Sequence, residues 1–322
     1  LKTKEVDTEN LGPYEVVLRT ESSLVSAGTE LNRLHNTLGN CTYPMGTGYA
    51  CVGRILEKGN AVDEFEVGER VFFAGNHAEI QRFQHAQDHQ WGRLYKVPED
   101  VPPEQAPYCC LAQIAYIGPM LTELALGDTV AVFGLGVIGN LAAQLYQMMG
   151  ARVIALDPVS KRCELARRVG IEEVVGVEPD KQVMTVQEMT DGKGAQVTVD
   201  AAGHSAVVAT CVECTALFGQ IILLGTPRAD YETNMTDTLH RVHHLGLTVR
   251  GGHMWCIPAM EVRGPRHNVV RQYEMVFNLM QQGKLQVDPL RSHFAKPERA
   301  PEMYHGLWEE RDEYWGVVFN WV

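Results

Sequence analysis

The chain has 322 residues, of which 45% are hydrophobic and 21% are charged, as is typical of a globular protein in water. Its 28 Lys and Arg face 40 Asp and Glu, so the formal net charge is −12. Such a surface on average repels nucleic acid and anionic membranes, and we therefore expect neither as a main partner. No apolar run approaches the roughly 18–20 residues that cross a bilayer.

The cysteines and the N-terminal segment indicate the compartment. The 8 cysteines are too sparse for a disulfide framework. Residues 1–10 are polar and lack the apolar core of a signal peptide. We therefore predict reduced cysteines and a cytoplasmic protein, and the length predicts about two domains.

The first third of the chain has short β-rich runs over 15–20, 51–59 and 68–75, separated by turns. From about residue 104 the apolar spacing becomes helical, and Pro103 and Glu104 are typical of a helix start. This change of pattern marks the approach to a second kind of domain.

Apolar strands and amphipathic helices then alternate. We predict strands over 128–134, 151–157, 195–203, 220–227 and 247–252, and helices over 137–150 and 161–170. This alternation is typical of an α/β fold with a doubly wound parallel sheet. A helix near 268–283 and a strand-like C-terminus follow. We predict one domain over 117–252, and a β-rich domain formed by 1–116 with 253–322, because the C-terminal segment is too short for its own core.

A glycine motif follows the first strand of the predicted α/β domain. Gly134 permits a tight turn, Gly136 permits close approach of a pyrophosphate, and Gly139 permits the helix to pack on the strand. Val137 and Ile138 open the helix, whose free N–H groups then face the phosphates. The motif in this context predicts a dinucleotide site.

Asp157 ends the second strand about 20 residues downstream, as the motif requires. A carboxylate at this place accepts hydrogen bonds from the ribose and repels a 2′-phosphate, so we expect NAD(H) rather than NADP(H). Arg162 either flanks the adenine or lies on a solvated helix face. Later strand ends add further candidate cofactor contacts, namely Ala202, Gly203, His204, Gly225, Thr226 and Gly252. His204 is equally compatible with a surface helix start.

Several segments in order resemble the medium-chain dehydrogenase/reductase (alcohol-dehydrogenase-like) superfamily. They are SAGTE at 26–30, GYACVG at 48–53, VGERVF at 67–72, GLGVIG at 134–139 and GVVF at 316–319. The resemblance implies a Rossmann domain inserted in a GroES-like catalytic domain, with substrate between them. It also implies a homodimer formed by sheet extension near residues 247–250. The most similar subgroup is the zinc-lacking branch that resembles bacteriochlorophyllide and sugar or cyclitol dehydrogenases.

The resemblance also implies that the family's catalytic zinc ligands are replaced. Ala27 stands at the cysteine position and Tyr49 at the histidine position, while Cys110 matches the third ligand. One thiolate cannot hold a catalytic zinc ion, which needs about three protein ligands, so we predict no metal. Two other groups, His240 with His243 and His244, and the Cys211–Cys214 pair, are metal candidates that we interpret as a solvated face and as a buried helix.

Without zinc, protein side chains must handle the substrate proton. Thr29 holds the position that hydrogen-bonds the substrate oxygen in the family. Tyr49 is a candidate acid/base through a lowered pKa, or it fills the volume of the metal. Glu30 either orients a neighbour or forms a structural ion pair, and His77 is either a relay or an ordinary histidine. His253, Trp255 and Tyr43 are candidate substrate contacts, although aromatic core packing is the more ordinary interpretation of Trp255 and Tyr43.

These features predict a zinc-independent, NAD(H)-dependent oxidoreductase that interconverts a secondary alcohol and its ketone. The substrate class implied by the resemblance is a sugar, cyclitol or similar polyhydroxylated metabolite. A tightly bound NAD that oxidises a carbinol transiently is a variant of this hypothesis. Two alternatives are a zinc-free quinone or enoyl-type alkene reductase, and a non-catalytic NAD-binding protein.

Overall fold

A computed structural model describes residues 5–37, 39–86, 88–228, 230–260 and 267–322. The chain divides into two compact units, which we call the first unit (residues 1–113 and 257–322) and the second unit (residues 114–256). None of the helices within these described ranges is long and apolar enough to cross a membrane.

The secondary structure is named in chain order. The strands are β1 (Glu15–Leu24), β2 (Cys51–Lys58), β3 (Arg70–Phe73), β4 (Ile80–Gln84), β5 (Tyr95–Lys96), β6 (Thr129–Phe133), β7 (Arg152–Leu156), β8 (Glu173–Val175), β9 (Ala195–Asp200), β10 (Thr215–Leu223), β11 (Thr248–Gly251), β12 (His293–Ala295) and β13 (Val317–Asn320). The helices are α1 (Ala27–Leu34), α2 (Tyr108–Leu121), α3 (Val137–Met148), α4 (Ser160–Arg168), α5 (Pro179–Met189), α6 (Ser205–Cys214), α7 (Met235–His244), α8 (Val269–Gln281) and α9 (Ala300–Glu309).

The first unit contains a sheet in the order β12-β13-β1-β2-β3-β5, with β4 also paired to β1. Strand β1 is antiparallel to β2, β4 and β13, so the N-terminal and C-terminal parts of the chain share one sheet. Apolar side chains of β1, β2 and β3 form a core that includes Val16, Ile55 and Phe73. A second cluster joins α1 and α9 to β13 through Leu31, Met303 and Phe319.

The second unit contains a parallel sheet in the order β11-β10-β9-β6-β7-β8. Every residue of β6 is buried, which is what the continuous apolar sequence over 129–133 predicts for a strand covered on both faces. The strand order reverses between β6 and β9, and ligands bind at such a switch point in doubly wound sheets. The structure thus confirms the predicted α/β fold class for the second unit and the predicted β-rich character of the first.

The structure corrects the predicted start of one helix. Helix α2 begins at Tyr108 rather than near residue 104. Pro107 disfavours helical backbone at the residue before it and has no N–H to donate. Residues 103–107 therefore form turns, in which the N–H groups of Gln105 and Ala106 donate to the Pro102 carbonyl at 3.0 and 2.9 Å.

The structure gives the bounds of the buried helix that was predicted around Cys211 and Cys214, and it corrects the start of the strand that follows. Helix α6 ends at Cys214, and strand β10 begins at Thr215, five residues before the predicted strand at 220. The Thr215 hydroxyl lies 2.8 Å from that of Thr198 in β9 and thereby links the two strands. Strand β8 and helix α5 were not predicted, because their short sequences show weak apolar periodicity.

Candidate functional site

The glycine motif of the second unit has the backbone geometry that its sequence predicts. Gly134 follows β6 with φ +94°, a left-handed conformation that favours glycine. A Cβ atom at Gly139 would lie 1.8 Å from the Gly134 carbonyl oxygen, so only glycine permits this contact between helix and strand. A Cβ atom at Gly136 would meet no protein atom within 4 Å. Protein packing therefore does not require a glycine at 136, whereas close approach of a phosphate does.

Helix α3 begins immediately after this turn. Val137 is its first residue, Ile138 follows, and both are half-buried. No side chain caps this helix at Gly136. Its first N–H groups thus remain available to an anion, which fits the pyrophosphate of a dinucleotide.

Asp157 lies at the end of β7 and is almost fully buried, with 1% exposure. Its carboxylate accepts hydrogen bonds from the N–H groups of Leu135 at 2.7 Å and Val159 at 2.8 Å. Arg162 lies 3.4 Å from the same carboxylate. Asp157 therefore joins the glycine turn to the end of β7, a role that the sequence motif alone did not indicate.

A second buried carboxylate organises the neighbouring loops. The Asp200 side chain accepts from the N–H groups of Ala202 and Gly203, while its backbone carbonyl accepts from Leu224 and Gly225. Burial raises the pKa of Asp200, although its hydrogen bonds from Gly203 and Ala202 oppose this effect. The loop candidates Ala202, Gly203 and Gly225 are thus held together beside the glycine turn by one residue that sequence reasoning missed.

The remaining candidates of the second unit have varied surroundings. His204 is exposed and is the N-cap of α6, where its Nδ1 accepts from the Ala206 N–H at 3.2 Å, so its interpretation as a helix start is confirmed. Thr226 is exposed, and Gly252 is buried directly after β11. His253 stacks on Trp255 with ring centroids 5.8 Å apart, and both side chains are exposed. Their roles towards a cofactor or substrate stay predictions.

In the first unit, Tyr49 lies in a group of hydroxyl and aromatic side chains. Its phenol donates to the Ser26 hydroxyl and hydrogen-bonds Thr29, which is exposed. The Trp91 ring meets Tyr49 edge-on at a centroid distance of 5.4 Å. Burial, with the nearby Cys110 and Glu30, raises the pKa of Tyr49 well above its ordinary value. The lowered pKa expected for Tyr49 is therefore wrong, because this phenol is desolvated and faces a carboxylate.

Glu30 and His77 form a buried pair next to this group. Nε2 of His77 lies 3.1 Å from Oε2 of Glu30, and the two side chains are 7% and 1% exposed. Glu30 also accepts from the Ser26 N–H at 2.7 Å and from the Tyr304 hydroxyl at 2.5 Å. Glu30 therefore orients His77 and Tyr304, whereas its influence on Tyr49 is electrostatic.

The residues at the family's zinc positions do not fit a zinc ion. Ala27 offers a methyl group, and the Tyr49 phenol is held neutral. Cys110 offers one thiol, and burial raises the pKa of that thiol to about 12 despite its hydrogen bond with Tyr273. Zinc requires about three protein ligands, and this set supplies one sulfur and no imidazole or carboxylate.

Other metal candidates were also located. No three His, Cys, Asp or Glu side chains in the described ranges are grouped to hold a metal ion. On α7, His240 stacks on His244 with ring centroids 5.7 Å apart, and both side chains are exposed. This agrees with the interpretation of these histidines as part of a solvated helix face. Cys211 and Cys214 are fully buried in α6, and burial raises the pKa of both thiols, which confirms that they pack as small apolar residues.

Three contributors to the first-unit site were missed by sequence reasoning, namely Ser26, Trp91 and Tyr304. Ser26 is the first residue of the SAGTE segment and could have been recognised there, but Tyr304 is 274 residues from Glu30 and no spacing signal links them. Tyr43, a candidate substrate contact, instead donates its hydroxyl to the backbone carbonyls of Arg33 and Leu34 at 2.7 and 2.8 Å. Its phenol is 51% exposed, and its contact with substrate stays a prediction.

Comparison with known proteins shows that the chain is similar to dehydrogenases. Residues 137–261 match the family model described as zinc-binding dehydrogenase. An uncharacterised zinc-type alcohol dehydrogenase-like protein of Haemophilus influenzae is 26% identical over 253 residues, which are 70% of this chain and 73% of that protein. D-guloside 3-dehydrogenase of Escherichia coli is 31% identical over 178 residues, which are 54% of this chain and 49% of that protein. The alignment thus spans about half the length of this second relative.

A solved structure matches nearly the whole chain. Galactitol-1-phosphate dehydrogenase from Escherichia coli superposes with a TM-score of 0.82 at 21% identity, covering 99% of this chain and 96% of that one. At this identity the likeness concerns the fold, which agrees with the two sheets described above. In sequence, the match over residues 137–261 and the relatives above make the chain similar to zinc-type, alcohol-dehydrogenase-like proteins.

Proposed function

We propose that the protein is a zinc-independent, NAD(H)-dependent oxidoreductase that interconverts a secondary alcohol and its ketone. One observation carries the proposal: a neutral, desolvated phenol, Tyr49, stands at a zinc-ligand position of the family and hydrogen-bonds Ser26 and Thr29. The fold is that of dehydrogenases, and the donor set at the metal position favours hydroxyl chemistry over a metal.

The second unit supplies the nucleotide site of this proposal. The turn at Gly134 and Gly136 and the start of α3 suit the pyrophosphate, and Asp157 suits the adenosine ribose. NAD, when bound, accepts or donates a hydride at its nicotinamide ring. Asp157 supports NAD(H) over NADP(H), because its negative charge repels a 2′-phosphate, although Arg162 beside it reduces that repulsion.

The first unit supplies the groups that handle the proton. Because the pKa of Tyr49 is raised, its hydroxyl stays protonated near neutral pH, and in the proposed reaction its single hydrogen turns from Ser26 to the substrate oxygen. Such a donor stabilises a ketone oxygen as negative charge develops on it during reduction. Thr29 is exposed beside Tyr49 and orients the same oxygen. In the oxidative direction the hydride passes to NAD⁺ and the substrate proton passes to water by way of the exposed Thr29 hydroxyl, which releases its own proton as it takes up the new one.

The substrate class follows from the same arrangement. A hydroxyl-lined site flanked by the Trp91 ring suits a polyhydroxylated ring, which offers both hydrogen-bonding edges and an apolar face. Two relatives are named for activity on a guloside and on a sugar-alcohol phosphate, which supports sugars, cyclitols and related polyols as the first compounds to assay.

The decisive experiment combines metal analysis with hydride transfer. Purified protein, before and after EDTA dialysis, is assayed with NAD⁺ or NADP⁺ against secondary sugar alcohols and cyclitols, and with NADH against the ketones and an enone. We expect less than about 0.1 zinc per chain and NAD-dependent turnover that survives EDTA. Stoichiometric zinc whose removal abolishes turnover would refute zinc independence. Activity on the enone alone would favour the alkene reductase, and cofactor binding without turnover the non-catalytic alternative.

A further inference from the structure

Tyr304 belongs to α9, far in sequence from every motif that marks the site, yet its hydroxyl donates to the buried Glu30 carboxylate at 2.5 Å. We propose that Tyr304 is a positioning residue that fixes Glu30 against His77 and thereby sets the proton affinity of the Glu30–His77 pair. The catalytic use of the pair rests on the proposed function, whereas the coupling itself does not.

The hydrogen bonds of the pair determine which atom of His77 takes a proton. Glu30 Oε1 accepts from the Ser26 N–H, and Oε2 accepts from Tyr304, so the carboxylate acts as an acceptor on both oxygens. Nε2 of His77 faces Oε2 at 3.1 Å and must therefore carry a hydrogen. Neutral His77 is then the Nε2–H tautomer, and Nδ1 is its basic atom.

The other side of the imidazole agrees with this assignment. Nδ1 of His77 lies 2.7 Å from the Ser23 hydroxyl, which already accepts from the Trp321 indole N–H at 2.8 Å. With one lone pair of Ser23 occupied in this way, its own hydrogen is free to donate to Nδ1. Every polar atom of the Ser23–His77–Glu30–Tyr304 group, which we call the buried relay, then has a partner.

Tyr304 is held in place by packing as well as by its hydroxyl. Its ring lies 6.4 Å from that of Phe319, which in turn meets the His77 ring edge-on at 5.2 Å. Burial raises the pKa of Tyr304, so the phenol remains a donor to Glu30. A phenylalanine at 304 would keep the ring contacts and remove the hydroxyl, with its hydrogen bonds to Glu30 and Thr47.

The surroundings connect the buried relay to the proposed site. The titratable groups that face Glu30 are His77, Tyr304, Tyr49 and Cys51. Burial raises the pKa of Tyr49 and of Cys51, so both of these groups are neutral. The charge of Glu30 is one cause of the raised pKa of Tyr49. A proton taken up by His77 partly compensates that charge, so the state of the buried relay influences the donor strength of Tyr49.

The test is an NMR titration of the full chain with ¹⁵N-labelled histidine, without cofactor or substrate. The His77 resonances are assigned by their loss in His77→Asn. In wild type the ¹⁵N shifts should report the Nε2–H tautomer, and the Nδ1–H tautomer would overturn the assignment without any further variant. In Tyr304→Phe we expect the titration midpoint of His77 to rise by about one pH unit, because the carboxylate is then balanced by His77 alone.

Two controls separate this coupling from a general loss of structure. Tyr314→Phe alters a tyrosine ten positions along, which stacks on His293 at 4.2 Å, and should leave His77 unchanged. In a Glu30→Gln background, Tyr304→Phe should no longer shift His77, because the coupling runs through the carboxylate. A shift below about 0.2 pH units in the folded single variant, or an equal shift in both backgrounds, would overturn the proposal. Since no substrate is used, these results are independent of whether the protein proves to be a dehydrogenase.

Discussion

Tyr49 differs from the metal ligand at its family position in what it can do to an oxygen atom. A metal ion binds the alkoxide directly, whereas a neutral phenol can only donate a hydrogen bond. In the structure that hydrogen is donated to Ser26, and the proposed role requires it to turn to the substrate oxygen. On the proposed function, one hydroxyl group takes the place of the metal ion at this position.

This difference makes Tyr49→Phe a direct test. We expect turnover to fall by about 10²-fold or more, because the donor to the substrate oxygen is lost. The ring contact with Trp91 remains, so the free energy of unfolding should fall by no more than the loss of the two hydrogen bonds to Ser26 and Thr29, about 2 kcal/mol. Steady-state kinetics and a thermal melt measure the two effects. Tyr14→Phe, at a tyrosine that is 51% exposed, is the matched control, and a loss below threefold would reject the role of Tyr49.

Asp157 makes a separate prediction for the cofactor. In Asp157→Asn the negative charge is lost and one of the two backbone contacts, to Leu135 or to Val159, must weaken. We expect the Kd for NADH to rise by about tenfold and the preference over NADPH to shrink, as fluorescence titration with both nucleotides would show. Asp128→Asn, at an aspartate that only caps the Ala125 N–H before β6, should bind like wild type. An unchanged NADH preference in Asp157→Asn would contradict the assignment.

At the scale of elements, the β6–turn–α3 segment separates packing from ligand binding. Gly139 touches the Gly134 carbonyl, whereas Gly136 has free space where a side chain would begin. The backbone of Gly136, at φ −61° and ψ −177°, is one that alanine also adopts. The same motif thus contains one glycine required by the fold and one available to a ligand.

Two alanine variants distinguish these roles. Gly139→Ala should lower the free energy of unfolding by about 3 kcal/mol or more, because its Cβ would lie 1.8 Å from a backbone oxygen. Gly136→Ala should keep the wild-type melting temperature within about 2 °C and weaken NADH binding by about tenfold or more. Thermal melts and NADH titration of the same preparations test both. The reverse pattern, a destabilised Gly136→Ala with wild-type binding, would refute a phosphate contact there.

The sequence predicts local elements well and distant contacts poorly. The strand at 129–133, the glycine turn and the helix from 137 are visible because their signals are contiguous. The contact between Glu30 and Tyr304 joins residues 274 positions apart, and neither residue type by itself predicts the contact. The sequence could not predict whether the pKa of Tyr49 is raised or lowered, because burial rather than residue identity determines the shift. The start of α2 was predictable from Pro107, which disfavours helical backbone at the residue before it. Pro103, which is typical of a helix start, instead begins the turns that precede α2.

At the scale of the whole molecule, the exposed edge of the parallel sheet is the feature that points to assembly. Strand β11 pairs with β10 and has all four residues exposed, with Val249 46% exposed. Phe218, which is 75% exposed, packs near Gly246, two residues before β11. We propose a homodimer in which β11 pairs with its copy, since an open strand edge with apolar neighbours favours such pairing.

Light scattering tests this assembly. We expect wild type to elute at twice the 35.9 kDa chain mass, and the double variant Phe218→Lys with Val249→Lys to elute as a monomer, because it places like charges across the two-fold axis. Leu126→Lys changes an apolar side chain that is 90% exposed elsewhere in the second unit and should remain dimeric. A monomeric wild type, or a dimeric double variant, would exclude pairing through β11.

The close packing of the loops around Asp200 limits which substitutions this part of the chain can accept. A Cβ atom at Gly203 would lie 2.5 Å from the Thr226 carbonyl, and one at Gly225 would lie 2.3 Å from the Gly203 nitrogen. Bulkier residues are thus barred from this part of the second unit, whereas the hydroxyl and aromatic groups around Tyr49 are spread over loops and helices of the first. Evolutionary drift, and laboratory selection for new substrates, should accumulate in the first unit while the crowded glycine loops of the second stay unaltered.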